Sequence, residues 1–158
     1  MIDRLNDLIG RTVAWFTGLM ALVTVIIVTL RYAFDQGTIV LQESVMYLHG
    51  FAFMLAIPYA LRAGAHVRVD LLYSRMSPNR QALVDLCGHV LFLLPVSAFL
   101  FFSSLPYVQA SWRVLEGSTE VGGIPAVFVL KTLIPVMALL LFAQGVAEIL
   151  RAIRTLRA

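Results

Sequence analysis

Four stretches of this chain are almost empty of charge, and that pattern constrains the fold more than any motif does. Thr12 to Leu30 holds 19 residues without Asp, Glu, Lys or Arg, Ser44 to Leu61 holds 18, and Leu86 to Trp112 holds 27. Val121 to Ala147 is a fourth such run, broken once, by Lys131. A run of about 18 or more apolar residues is long enough to cross a hydrocarbon core of roughly 30 Å. In lipid no water meets the backbone N–H and C=O groups, so each run must close its hydrogen bonds internally and become a helix. Composition agrees: 60% of the 158 residues are apolar and 13% are charged, where a soluble domain carries about a quarter charged residues. A disordered chain and a soluble cytosolic enzyme are excluded, and one cysteine excludes a disulfide scaffold.

The expected fold class is therefore an all-α integral membrane protein forming a single four-span domain, with spans at about 12–33, 43–62, 84–112 and 124–148. The first run is read as a span, because it ends in Arg31-Tyr32-Ala33-Phe34-Asp35, which has no small-residue cleavage site of the secretory kind. Basic residues set the orientation. Arg4, Arg11, Arg62, Arg68, Arg75, Arg80, Arg151, Arg154 and Arg157 fall on one side, while Arg31 and Arg113 fall on the other among Asp35, Glu43, Glu116 and Glu120. An even number of spans puts both termini on the arginine-rich side, which is the cytoplasmic one. The net charge of +3 then serves anionic lipid headgroups and calls for no nucleic acid.

Segments at about 1–10, 68–76 and 149–157 have apolar residues at helical spacing, such as Val69, Leu72, Tyr73 and Met76. They read as amphipathic helices on the membrane surface. At the two termini, an extension of the adjoining span fits equally well. Ser77-Pro78 is a start signal, a cap residue followed by proline in the first helical turn.

Few residues inside the spans carry chemistry. Lys131 is the one charge well inside a run; it either reaches the outer surface or pairs with an acid there. His49 and His89 raise an alternative, a haem-bearing membrane anchor of an oxidoreductase. His49 lies six residues beyond Glu43 at one end, and His89 four residues beyond Asp85 at the other. At 1.5 Å per residue they sit very roughly 15 Å apart along the membrane normal, too far for one iron. A homodimeric exporter is a third possibility, opposed by the lack of a carboxylate near any span centre. Cys87 reads as a small packing residue. No catalytic, cofactor or metal site is expected in this chain, and the chain is not expected to be an enzyme. Trp112 suits an interfacial aromatic belt, and Glu116 and Glu120 in the outer connector either meet a partner or stay hydrated.

The order of several short motifs resembles the small membrane subunit of a tripartite ATP-independent periplasmic (TRAP) transporter. The likeness begins at Arg31-Tyr32 and Leu41-Gln42-Glu43. It is sharpest at Gly64 to Asp70, a Gly-x-His-x-Arg-Val-Asp pattern that contains His66, Arg68 and Asp70. It continues through Ser77-Pro78, through Ser111-Trp112, Glu116, Ser118, Glu120 and Gly122-Gly123, and through Lys131 to Pro135 and Gln144-Gly145. The second span departs from the tryptophan-rich form of many members. The resemblance implies a scaffold subunit that binds a large membrane subunit, with sodium and substrate held by that partner, and a periplasmic substrate-binding protein that delivers an organic acid. It further implies that His66, Arg68 and Asp70 fix the inner loop, that Arg31 and Glu43 fix the outer end of spans one and two, and that Glu116 and Glu120 face the binding protein.

Overall fold

The structure is a computed structural model and describes residues 2–65 and 73–157. Among the described residues five α-helices follow one another: α1 (Ile2–Ala33), α2 (Ile39–Arg62), α3 (Pro78–Gly88), α4 (Leu94–Arg113) and α5 (Val127–Arg157). A π-helical turn, His89–Leu93, joins α3 to α4, so Pro78 to Arg113 makes one 36-residue crossing. Among the described residues four helices are thus long and apolar enough to span a membrane, and there is no strand.

Local sequence accounts for the breaks. Ser77 takes the extended conformation of an N-cap, and Pro78 occupies the first turn of α3, where its missing N–H costs nothing. Pro95, in the first turn of α4, cannot donate to the preceding turn and its ring crowds the carbonyl four residues back. The π-helical turn lies immediately before it and absorbs that misfit. Ser97 is fully buried beside this turn, where its hydroxyl donates to the carbonyls of Leu93 at 2.7 Å and Leu94 at 3.1 Å.

At the termini the structure has the extensions rather than separate surface helices. α1 is unbroken from Ile2, and α5 is unbroken to Arg157. Thirty-two residues of α1 extend about 48 Å at 1.5 Å each, more than a hydrocarbon core of roughly 30 Å, so the helix is long enough for its charged first turns to lie outside the hydrocarbon. Of the middle segment, 68–72 lies outside the described residues, and Tyr73 to Met76 close a turn before α3.

α5 is the centre of the molecule, packing against α2, α3 and α4 and more briefly against α1. It buries Leu133, Met137, Ala138, Leu141, Gln144 and Gly145. Small residues set the close approaches, as expected where lipid is as apolar as the protein interior. Ser97, Ser104 and Ser111 recur every seventh residue along the buried side of α4. Gly145 lies under Leu93, and a Cβ there would come within 2.7 Å of its side chain. α1 instead packs on α2 through a narrow seam. From Val13 onward its less exposed positions are Val13, Phe16, Met20, Val23, Ile27 and Leu30, alternating by three and four residues as in a coiled-coil seam. Gly10 sits against the Tyr59 ring, and Phe16 meets Phe51 edge-on at 6.5 Å.

Candidate functional site

Polar side chains gather at the two ends of the bundle. At the connector end, α4 closes with a Schellman motif: the Leu115 N–H donates to the Trp112 carbonyl and the Glu116 N–H to the Ser111 carbonyl. Leu115 holds the left-handed position at φ 45°, where a residue with a Cβ costs about 1–2 kcal/mol more than glycine. That turn brings Glu116 to Lys131, whose Nζ donates to Oε2 at 2.5 Å. Lys131 also lies 4.1 Å from the centre of the Tyr107 ring, so the one cation inside a span is held by a carboxylate and an aromatic face. The hydrogen bond from Lys131 holds the Glu116 carboxyl below the ordinary glutamate value of 4.5. Beside it the Trp112 indole N–H donates to Thr132 Oγ1 at 2.9 Å, and its ring meets Phe128 edge-on at 4.6 Å.

Glu43, near the start of α2, latches the rest of the connector. Its carboxylate accepts from the Ser118 hydroxyl and, at 2.5 Å, from the Ile124 N–H. Gly123 is required here, since a Cβ would come within 2.7 Å of Glu43 Oε1. The Ser118 N–H donates to the Ile124 carbonyl at 3.2 Å, which pins the base of the 118–124 loop. Glu120 is exposed at the tip of that loop, next to a 93%-exposed Val121.

At the opposite end a second network joins α1, α2 and α5. Asn6 and Gln144 are both fully buried and hydrogen-bonded at 2.7 Å. The Gln144 amide also donates to Asp3 at 3.1 Å and Glu148 at 2.8 Å. Arg151 bridges the same two acids, at 2.5 Å and 2.6 Å, and Arg62 pairs with Asp7. A polar cavity of about 260 Å³ lies alongside, lined by Tyr73, Gln81, Asp85, His89, Glu148 and Arg151 among others.

The structure therefore brings together Glu43 with the connector, and Glu116 with Lys131, with Trp112 adjacent. It does not bring Arg31 to Glu43: Arg31 is exposed, and among the described residues it makes no ion pair. Glu116 is turned inward to Lys131, leaving Glu120 as the outward acid of the loop. His66, Arg68 and Asp70 lie outside the described residues. The Asn6–Gln144 network is absent from the sequence-based candidates. Its signal was an asparagine spaced helically with Ile2, Ile9 and Val13, a polar residue on a packing seam. No group of three or more His, Cys, Asp or Glu side chains that could hold a metal ion occurs among the described residues.

Long apolar helices tied by polar latches at both ends define a multi-span membrane protein, and sequence comparison gives its family. Residues 20–155 match the family model described as the DctQ component of tripartite ATP-independent periplasmic transporters. That is most of the chain, which therefore belongs to this family: it is a small permease subunit of a TRAP transporter, a multi-pass protein of the inner membrane. Searches of curated proteins and of solved structures return no match.

Proposed function

We propose that this chain is the static scaffold partner of a large membrane subunit that binds sodium and substrate and moves between the two faces of the membrane. A periplasmic binding protein delivers an organic acid, of the monocarboxylate or 2-oxo acid kind, to the connector end. Both termini lie in the cytoplasm, on the side of the arginine-rich segments. The observation that carries the reading is the connector itself. Glu43, Ser118, Ile124, Glu116 and Lys131 tie it to α2 and α5, so a docking protein meets a preformed surface with little ordering entropy to lose. The four charge-poor runs contain no Asp or Glu, which supports leaving ion coupling to the partner.

The test is expression of the tagged chain together with the large subunit and the binding protein. The expected result is recovery of both membrane subunits as one particle in mild detergent, and acid uptake that needs both subunits and a sodium gradient. Recovery of the tagged chain alone, or uptake indifferent to its deletion, would overturn the proposal.

A further inference from the structure

α2 has three faces, and two of them are occupied. Phe51 and Tyr59 meet α1. Gly50 admits Leu130 of α5, and Met54, Ile57 and Leu61 pack with Met137 and Leu141. The third face carries Gln42, Met46, His49 and Phe53, at intervals of four, three and four residues, and all four are exposed. Beyond Phe53 no α2 residue is exposed, so the open face is confined to the connector-end half of the helix. His49 stacks on Phe53 with ring centroids 6.1 Å apart and planes 17° from parallel. Among the described residues its imidazole has no hydrogen-bond partner.

Depth makes that arrangement informative. His49 is six residues beyond Glu43, about 9 Å into the membrane at 1.5 Å per residue. A neutral imidazole there has one N–H to donate and one nitrogen to be met, and hydrocarbon supplies neither. Hydroxyls on exposed faces of other spans avoid this by bonding their own helix: Thr24 donates to the Met20 carbonyl, Thr29 to Val25 and Ser103 to Leu100. A histidine ring held out against a phenylalanine has no such recourse. The exposed faces of α1 around Leu19, Leu22 and Val25, and of the third span around Phe92 in the π-helical turn and Val96 and Phe99 in α4, carry large apolar side chains suited to lipid tails.

We infer that the face of α2 formed by Gln42, Met46, His49 and Phe53 is where the large membrane subunit docks, with a polar group of that subunit meeting the His49 imidazole. The inference rests on the scaffold reading above. A second copy of this chain fits the face less well. Packing about a two-fold along the membrane normal would set one imidazole against the other at the same depth, and the single N–H···N bond between them is directional, so it breaks the symmetry and leaves one donor and one acceptor unmet. A different protein can present one fixed donor or acceptor. Met46 and Phe53, 49% and 59% exposed, flank the ring and would keep water and lipid from the new hydrogen bond.

The experiment places the photo-crosslinking residue p-benzoylphenylalanine at Met46 or Phe53 of the full chain, co-expressed with the large subunit, with Trp15 and Phe99 as comparison positions. The expected adduct joins this chain to the large subunit from the two α2 positions and not from the other two. In parallel, His49→Leu lowers recovery of the large subunit on the order of three- to tenfold, the size of one interhelical hydrogen bond in lipid, and His49→Gln restores most of it. Adducts between two copies, adducts only from Trp15 or Phe99, or no adduct from α2 would each overturn the docking face. If the subunits still co-purify, the scaffold reading survives that loss. Failure of the unmodified chain to co-purify overturns both.

Discussion

Gln144 shows how much one side chain decides when it is buried in an apolar bundle. Its amide serves Asn6, Asp3 and Glu148 at once, so Gln144→Leu leaves three polar groups short of a partner. Stability is expected to fall by about 1–3 kcal/mol, read as loss of helicity at lower denaturant in a fixed detergent. Glu116 gives a pH signature. Its carboxyl is held below 4.5 by Lys131, so the folded state binds that proton less readily than the unfolded one. The stabilisation is complete above the ordinary glutamate value and is lost as the pH falls through the lower folded value. Glu116→Gln is expected to flatten the fall in thermal stability as the pH drops below the ordinary glutamate value of 4.5; an unchanged acid limb would show that the pair does not contribute. The Lys131 pairing was partly legible beforehand, because a lone cation in a span needs an acid or the interface. Its choice of Glu116 was not, since that depends on the left-handed turn at Leu115.

At the level of helices, length and apolar character were plain in the sequence, and the four crossings follow from them. The seams between helices were not. Within a run such as Val25 to Val28 every residue is apolar, and lipid and protein interior accept such residues alike, so the pattern does not say which side faces a neighbour. Glycines carry part of that missing information. Gly10→Ala puts a methyl group into the Tyr59 ring, and is expected to cost about 1–3 kcal/mol by forcing α1 off α2. Gly18→Ala, eight residues along the same helix, meets nothing within 4 Å and is expected to change stability by less than about 0.5 kcal/mol. Equal effects in a denaturant titration would refute the seam.

For the whole molecule, the central position of α5 means that stability is unevenly spread. Among the described residues α1 and α4 share no packed interface, and each is held mainly by one neighbour. Met137→Ala, in the cluster with Leu61 and Leu141, is expected to cost about 2–5 kcal/mol through the cavity it leaves. Leu22→Ala on the exposed side of α1 opens no cavity and should lie within about 0.5 kcal/mol of the unaltered chain. Similar losses at the two sites would contradict the central role of α5.

The sequence by itself determined that this chain lives in a membrane, how many times it crosses, and which transporter family its motifs follow. Those properties depend on counts and runs, which lipid reads directly. Tertiary structure decided which residues meet. Ser118 reaches Glu43 across 75 residues and Asn6 reaches Gln144 across 138. Both contacts depend on how each helix is rotated about its axis. In a nearly uniform apolar segment that rotation is fixed by a few glycines, serines and polar side chains packing against particular neighbours, and by no periodicity that the sequence displays.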